Sequence, residues 1–238
     1  MTASRILSWT PAAIVFDCDG TLMDTERHWQ DARGLVLDGY GFAPAPGFAE
    51  RAKGLHYTEC GTLMAVESGR PDLAGDMTSQ LLTEFRSLVA EQPMTMPGAR
   101  ELVHDVRRFA PLAVASNCPA EVVESCLDTA GLLDCFDHIV VPDDTIRPKP
   151  HPDVYLTAAR LCGVDPADTL AVEDSHCGVQ AAVGAGMRVL GAGSWPSPET
   201  VALVDLWVRA LDNPEVRLWA CDRVPSQAQA PSETPVQL

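Results

Sequence analysis

Basic residues are scarce in this sequence. Lysine and arginine together number 17 against 33 aspartates and glutamates, which gives a formal net charge of −16 at pH 7. Proteins that bind nucleic acid or an anionic membrane normally carry an excess of positive charge. The acidic balance therefore argues against nucleic acid and against a membrane surface as partners.

Long hydrophobic segments and closely spaced cysteine pairs are also lacking. Apolar runs such as AAIVF at residues 12–16 are far shorter than the ~20 residues that a membrane-spanning helix needs. The few residues before Asp17 do not resemble a secretory signal. Because the eight cysteines form no C-x-x-C pair, we expect reduced thiols in a cytoplasmic protein, without zinc or disulfides.

The length and composition fit one core domain that carries an insertion. The 238 residues exceed one average domain and fall short of two. Hydrophobic residues make up 46% and charged residues 21%, which is ordinary for a globular protein with a sizeable core. A monomer is compatible with these features.

Five short apolar runs predict β-strands. They are almost continuously apolar and do not alternate, which is typical of a parallel sheet buried on both faces. Helical patterns separate the last four runs, so the rhythm predicts an α/β fold with a doubly wound parallel sheet. The predicted strands cover residues 12–17, 112–117, 138–142, 169–174 and 187–191.

The segment between the first two strands predicts a helical insertion. It contains the amphipathic stretches TERHWQDARGLVLDGYG and MTSQLLTEFRSLVAEQ but no convincing strand, and a structureless loop of this length would be unusual. We predict a helical cap over residues 25–95 and a core domain formed by residues 1–24 and 96–222. Residues 196–211 predict a last helix, and residues 223–238 predict a disordered tail.

Two aspartates close the first predicted strand, in VFDCDGTLMDTE at residues 15–26. Residues two apart in an extended chain share a face, so Asp17 and Asp19 would repel each other. A cation, a proton or a reacting group between them would offset that repulsion. The simpler alternative is a strand that ends in an Asp-Gly turn.

Polar residues close three further strands. The carboxyl ends of parallel strands meet at the edge of the sheet where ligands bind in doubly wound folds. Carboxylates, a hydroxyl, an amide and a lysine would converge there, which predicts an active site. The residues are Ser116 and Asn117 after the second strand, Lys149 after the third, and Glu173 and Asp174 after the fourth.

Simpler interpretations exist for each of these residues. Ser116 and Asn117 could cap the next helix, and Lys149 could be a solvated surface lysine. Glu173 and Asp174 could stabilise a helix N-terminus, which is compatible with binding a metal at the same time.

As a set, these segments resemble the motifs of haloacid dehalogenase (HAD) superfamily hydrolases, in the subgroup with a helical cap after the first motif. DCDGT resembles the first motif, VASN the second, the lysine of RPKPHPDVY the third and VEDSHCGVQAA the fourth, in the same order through about residue 195. The resemblance implies a Rossmann-like core and Mg²⁺-dependent hydrolysis of a phosphate ester.

The resemblance also implies a role for each residue. Asp17 would be the nucleophile that forms an aspartyl phosphate, and Asp19 would act as general acid and then as general base. Mg²⁺ would bind Asp17, the main-chain carbonyl of Asp19 and Asp174, with Glu173 as a further ligand or as a partner of the ligands. The phosphoryl oxygens would be held by Ser116 and Lys149 and by backbone N–H groups of Gly20, Thr21 and Asn117.

The predicted cap contains a candidate specificity loop. RAKG resembles the substrate loop of β-phosphoglucomutase-like members, which makes Arg51, Lys53 and Gly54 candidates for substrate recognition; a solvated basic turn is the alternative. Thr21 and Trp29 stand where the glucose mutase has a valine and a histidine, which favours a phosphatase.

The preferred function is a phosphatase acting on a small phosphorylated metabolite, such as a sugar phosphate. Two alternatives stay open: a phosphomutase of the β-phosphoglucomutase type, and a catalytically silent binding or regulatory module.

Overall fold

The chain folds around a six-stranded parallel sheet. The computed structural model describes residues 5–91 and 94–223 and gives the strand order β3-β2-β1-β4-β5-β6, with parallel pairing throughout. The predicted doubly wound α/β fold is confirmed. The strands are β1 (Ala13–Phe16), β2 (Leu112–Ala115), β3 (His138–Val140), β4 (Thr169–Glu173), β5 (Arg188–Ala192) and β6 (Leu206–Val208).

Both faces of the sheet are buried under helices. Ile14 and Phe16 belong to the core cluster on one face, whereas Val15 belongs to the cluster on the other, as alternation along a strand requires. This arrangement explains why the strands are continuously apolar. The helices that follow β-strands or complete the core are α5 (Ala99–Val106), α6 (Ala120–Thr129), α7 (Asp153–Leu161), α8 (His176–Gly184), α9 (Pro198–Val201) and α10 (Pro214–Cys221).

Four helices lie between β1 and α5, where the sequence predicts an insertion. Helix α4 packs against α1 and α3, and Trp29 on α1 stacks on Phe85 on α4 with 3.6 Å between ring centroids. The extent of a separate cap domain, residues 25–95, stays a prediction. The helices are α1 (Glu26–Gly39), α2 (Phe48–Ala52), α3 (Tyr57–Glu67) and α4 (Ala74–Glu91).

The chain enters and leaves these four helices at neighbouring points. The N–H of Asp24 donates to the carbonyl of Met94 at 2.7 Å, and the N–H of Met96 donates to the carbonyl of Leu22 at 2.9 Å. The two connecting segments are therefore tied to each other directly beside the end of β1.

The predicted last helix over residues 196–211 is wrong. Helix α9 ends at Val201, and the LWV segment forms β6, which pairs with β5 at the edge of the sheet. Trp207 packs so closely over Gly191 that a Cβ there would lie 2.0 Å from the indole ring. The apolar spacing of this segment fits a helix and an edge strand equally, and pairing with β5 decides the outcome.

The final helix, α10, is absent from the sequence prediction although a start signal is present. Asn213 caps α10 by accepting hydrogen bonds from the N–H groups of Glu215 and Val216, with Pro214 at the first helical position. Of the predicted disordered tail, Arg223 donates to the carbonyls of Leu7 and Trp9. Residues 224–238 lie outside the described residues.

All eight cysteines are free thiols: Cys18, Cys60, Cys118, Cys126, Cys135, Cys162, Cys177 and Cys221. Across residues 5–91 and 94–223, the helices are all too short or too polar to cross a membrane.

Candidate active site

Lys149 lies at the centre of the polar cluster at the carboxyl edge of the sheet. Its ammonium is 2.6 Å from Asp17 Oδ1 and 2.6 Å from Glu173 Oε1, and the residue is only 1% exposed. Burial alone would lower the pKa of Lys149, but these two carboxylates raise it well above its ordinary value. Lys149 is therefore a buried cation shared by two strand ends and not a solvated lysine.

Glu173 is held by hydrogen bonds at both carboxylate oxygens. Oε1 accepts from Tyr155 Oη at 3.0 Å as well as from Lys149, and Oε2 accepts from the N–H groups of Asp174 and Ser175 and from Ser175 Oγ at 2.9–3.0 Å. Burial would raise the pKa of Glu173, but Lys149 and these donors hold it below its ordinary value.

The N-terminus of α8 approaches this carboxylate very closely. A Cβ at Gly178 would lie 1.6 Å from Glu173 Oε1, so only glycine fits there. Ser175 caps the same helix by accepting from the N–H of Gly178 at 3.0 Å. The predicted helix-cap role of this segment and its place in the acidic cluster are thus both present.

Three carboxylates form a group that fits a divalent cation. Asp17, Glu173 and Asp174 offer oxygen atoms that all lie within 4.8 Å of one another. Asp17 Oδ2 is buried and has no hydrogen-bond partner in the described part of the chain, as expected for an atom that binds a metal or a substrate. Mg²⁺ prefers such hard oxygen ligands.

Burial favours the protonated form of two carboxylates of this group, Asp17 and Asp174, so each needs a positive partner to stay ionised. It raises the pKa of Asp174 to about 7, although Lys53 opposes the shift. Burial also raises the pKa of Asp17 well above its ordinary value, more than Lys149 lowers it. A bound cation would favour the ionised form of both groups.

Asp19 is positioned by two hydroxyl groups. Thr25 Oγ1 donates to Asp19 Oδ1 at 2.6 Å, and Ser116 Oγ donates to Oδ2 at 3.2 Å. Burial raises the pKa of Asp19, while these hydrogen bonds partly offset the rise. Ser116 therefore contacts the second aspartate, and it does not cap α6, whose N-cap residue is Pro119.

Asn117 ties the second strand end to two other segments. Its side chain accepts from the N–H of Lys149 at 2.9 Å and donates to the carbonyl of Lys149 at 3.2 Å and to that of Gly54 at 3.0 Å. It thus fixes the loop that carries the lysine and connects that loop to the helical insertion.

Two of the three predicted cap residues reach the site. Lys53 Nζ is 2.7 Å from Asp174 Oδ2, and Gly54 packs so tightly that a Cβ would lie 2.6 Å from Ser175 Oγ. Arg51 is not brought to the site: its exposed guanidinium pairs with Glu67 at 2.9 Å and donates to the carbonyl of Pro46.

Gly20 and Thr21 follow the two aspartates, but their N–H groups are used within the turn. The N–H of Gly20 donates to the carbonyl of Met23 at 2.7 Å, and that of Thr21 donates to Cys18 at 3.4 Å. Gly20 instead shapes the turn: its φ of +86° and its close contact with Asp174 both require a residue without a side chain. Thr21 Oγ1 is buried and has no partner within the described residues.

A small pocket above these residues extends between the sheet and the helical insertion. The sequence did not predict Glu26 or Arg33 as part of this pocket, because their position depends on how α1 packs over the sheet edge. The pocket is lined by Asp17, Asp19, Glu26, Trp29, Arg33, Gly54, Leu55, Asn117, Cys118, Lys149 and Ser175.

The fold and the site together define a doubly wound α/β enzyme with an acidic, lysine-containing centre at the carboxyl edge of its sheet. The chain belongs to the haloacid dehalogenase-like hydrolase family, whose model matches residues 14–192. This finding confirms the resemblance drawn from the four motifs.

Individual relatives cover most of the chain. It is 29% identical over 212 residues to the validoxylamine A 7'-phosphate phosphatase of Streptomyces hygroscopicus subsp. limoneus, covering 83% of this chain and 92% of the relative. It is 30% identical to the fructose-1-phosphate phosphatase YqaB of Escherichia coli, covering 74% and 93%. The crystal structure of CbbY from Rhodobacter sphaeroides in complex with phosphate superposes with a TM-score of 0.73 at 26% identity, covering 85% and 96%.

Proposed function

We propose that this protein is a Mg²⁺-dependent phosphatase that hydrolyses a small phosphorylated metabolite, such as a sugar phosphate. The observation that carries the proposal is the environment of the Asp17 carboxylate. One of its oxygens is 2.6 Å from Lys149 Nζ, and the other is buried beside Asp174 and Glu173 without a hydrogen-bond partner among the described residues. Relatives named as phosphatases of phosphorylated carbohydrates support this choice of substrate class.

In the first step, the carboxylate of Asp17 attacks the phosphorus atom. A bond forms between Asp17 and phosphorus while the bond to the ester oxygen breaks, and Asp19 donates a proton to that leaving oxygen. Lys149 orients Asp17 and balances negative charge at the phosphoryl group. The Ser116 hydroxyl lies at the same edge of the sheet and donates a hydrogen bond to Asp19.

In the second step, Asp19 takes a proton from a water molecule that attacks the aspartyl phosphate. The bond between Asp17 and phosphorus breaks, which releases inorganic phosphate and restores both aspartates. The Thr25 hydroxyl, 2.6 Å from Asp19, keeps this carboxylate directed at the reaction in both steps.

The residues present would hold Mg²⁺ through Asp17, Asp174 and the main-chain carbonyl of Asp19. Both oxygens of Glu173 already accept hydrogen bonds, so we assign Glu173 to holding Lys149 and Asp174 in place. Bound Mg²⁺ supplies positive charge that reduces the repulsion between an anionic nucleophile and an anionic phosphoryl group.

The lining of the pocket favours hydrolysis over phosphoryl transfer between sugar hydroxyls. Trp29 lies in the pocket and stacks on Phe85, and an indole has no proton that exchanges as a general acid or base near neutral pH. A phosphatase releases inorganic phosphate in proportion to substrate consumed. Formation of an isomeric sugar phosphate would identify a mutase.

The test is a phosphate-release assay on a panel of phosphomonoesters with Mg²⁺. We expect turnover by the natural chain and a loss of at least about a thousandfold in Asp17→Asn, which is nearly isosteric. Asp72→Asn, an exposed aspartate paired with Arg70, is the matched control and should stay within twofold. Near-normal turnover by Asp17→Asn would overturn the assignment of Asp17 as the nucleophile. Inactivity of the natural chain on all substrates would support the alternative of a catalytically silent binding or regulatory module.

A further inference from the structure

A largely buried ion pair on α1 lines the pocket. Glu26 and Arg33 lie two turns apart on the same face of α1, and Arg33 Nη1 is 3.0 Å from Glu26 Oε1. The side chains are only 15% and 5% exposed, and Arg33 Nη2 also donates to the carbonyl of Ala52 at 3.2 Å. Both residues line the same pocket as Asp17, so they face the part of a substrate beyond its phosphoryl group.

Stability does not explain why this pair is buried. Removing two charges from water costs about as much as their attraction returns, and apolar residues of similar size often stabilise a fold better. The rest of the buried face of α1 is mostly apolar, with Trp29, Ala32 and Val36. The Arg33 guanidinium also interacts with the buried Cys60 thiol, but its Nε is buried without a hydrogen-bond partner in the described residues. An unpartnered donor beside the pocket points to a ligand group that it contacts.

The charges at the site restrict what that ligand group can be. Each cation there already faces a carboxylate: Lys149 pairs with Asp17 and Glu173, and Lys53 with Asp174. With Asp19 protonated as the proposed general acid, four ionised carboxylates and three cations leave one negative charge in excess, so one Mg²⁺ leaves one positive charge for the reacting phosphoryl group. The ionised carboxylates are Asp17, Glu26, Glu173 and Asp174, and the cations are Arg33, Lys53 and Lys149.

A substrate with a second phosphoryl group would therefore meet a neutralised arginine and a carboxylate. Repulsion by Glu26 would oppose a second anion, because few water molecules screen charges in such a pocket. Hydroxyl groups fit better, since a carboxylate accepts and a guanidinium donates hydrogen bonds to the same kind of group.

Building on the proposed phosphatase function, we propose that Glu26 and Arg33 determine specificity by binding hydroxyl groups of a neutral, polyhydroxylated leaving group. Glu26 accepts from the hydroxyl groups, and Arg33 donates to them. The pair selects monophosphates of sugars or polyols over bisphosphates and over aryl phosphates that lack hydroxyls.

The experiment compares kcat/KM for three probes: sugar and polyol monophosphates, the corresponding bisphosphates, and 4-nitrophenyl phosphate. The natural chain should prefer the best monophosphate over its bisphosphate by about tenfold or more. In Arg33→Met, kcat/KM for that monophosphate should fall at least about tenfold further than for 4-nitrophenyl phosphate, mainly through KM. In Glu26→Gln, the discrimination against the bisphosphate should shrink, because Arg33 is no longer neutralised.

Two further variants keep the result interpretable. The double variant Glu26→Leu/Arg33→Met removes both charges at once and replaces Arg33→Met if that single variant does not fold. It should show the same selective loss of kcat/KM for the monophosphate relative to 4-nitrophenyl phosphate. Arg70→Met breaks the exposed Arg70–Asp72 pair and serves as the control, with every kcat/KM value within twofold of the natural chain.

The outcomes separate this inference from the proposed function. Hydrolysis of 4-nitrophenyl phosphate without preference for any hydroxylated monophosphate would overturn the role of the pair and leave the phosphatase intact. Equal losses on all probes in the folded variants would also overturn it. Failure of the natural chain to hydrolyse every probe would overturn the phosphatase itself and the inference with it.

Discussion

Lys149 is the residue on which the other charges of the site depend. Its ammonium is buried between Asp17 and Glu173, at 2.6 Å from each. The Asn117 side chain forms hydrogen bonds with both the backbone N–H and the carbonyl of Lys149. Without that ammonium, two buried carboxylates would lose their partner. The lysine therefore contributes to folding as well as to the proposed chemistry.

Lys149→Met should lower stability and abolish turnover together. Breaking a buried pair by removing one partner typically costs about 3–5 kcal/mol. Chemical denaturation and phosphate release measure the two effects. Lys53→Met is the matched control: the Lys53 side chain is 32% exposed, so the loss of stability should be clearly smaller. Equal losses of stability in both variants would contradict this account of Lys149.

Thr25 provides a second prediction at this scale. Thr25→Val keeps the side-chain shape and removes the hydrogen bond to Asp19, and we expect kcat to fall about tenfold. Because that bond favours the ionised carboxylate, its loss should raise the pKa of Asp19. The alkaline limb of the kcat/KM profile, which reflects protonated Asp19, should then move to higher pH. An unchanged limb would argue against Asp19 as the general acid.

The sequence predicted the charged residues of the site better than their partners. Asp17, Asp19, Lys149, Glu173 and Asp174 follow strands, and the parallel sheet brings strand ends together whatever the details of packing. Other contacts depend on how a helix rotates against the sheet, which no local pattern encodes. Such contacts include Tyr155 to Glu173, Thr25 to Asp19, and the Glu26–Arg33 pair.

At the scale of elements, the turn after β1 makes a close contact with the end of β4. Gly20 has φ +86°, and a Cβ on it would lie 2.3 Å from Asp174 Oδ2 at the end of β4. Because Gly20 has no side chain, the turn in the first motif can contact Asp174 in the fourth motif.

Gly20→Ala should displace Asp174 and weaken metal binding in addition to straining the turn. Gly186→Ala is the matched control, because Gly186 has φ +83° and nothing within 4 Å of its Cβ position. Both variants should lose some stability, of order 1 kcal/mol from the backbone alone. Only Gly20→Ala should bind Mg²⁺ at least about tenfold more weakly in titration calorimetry. Equal Mg²⁺ affinity in the two variants would contradict the proposed role of the turn.

The sequence predicted the central strands correctly and β6 wrongly, because only the central strands have a local pattern that differs from that of a helix. Strands β1, β2 and β4 are buried on both faces, so their sequences lack the polar face that is typical of surface helices. The LWV segment is short and follows a helix of four residues, so local spacing does not distinguish helix from edge strand. Hydrogen bonding to β5, a long-range contact, determines its structure.

At the scale of the whole molecule, we expect the acidic centre to link stability to pH and to metal binding. The pKa of Asp174 is about 7 in the fold, against an ordinary value of 3.8 when unfolded. A group whose pKa is raised by folding stabilises the fold below its unfolded pKa, and this contribution disappears as pH rises through the folded pKa. Stability of the metal-free protein should therefore decrease between about pH 4 and 7.

Thermal unfolding with and without Mg²⁺ tests this linkage. In EDTA, the Tm of the natural chain should fall more between pH 5 and pH 8 than the Tm of Asp174→Asn, which lacks the titrating group. Added Mg²⁺ should raise the Tm more at pH 8 than at pH 5, because it binds ionised carboxylates. A rise in Tm that is the same at both pH values would contradict the assignment of these carboxylates as ligands.

Chemical trapping of the intermediate tests the central claim most directly. Mg²⁺ and a hydrolysable phosphomonoester are mixed with the enzyme, the reaction is quenched in acid during turnover, and borohydride reduces any acyl phosphate to an alcohol. Peptide mass spectrometry should then find homoserine at position 17, at a level that depends on substrate and is lost in the Asp17→Asn variant. Reduction at Asp19 instead, or no reduction at either aspartate while phosphate is being released, would contradict phosphoryl transfer to Asp17.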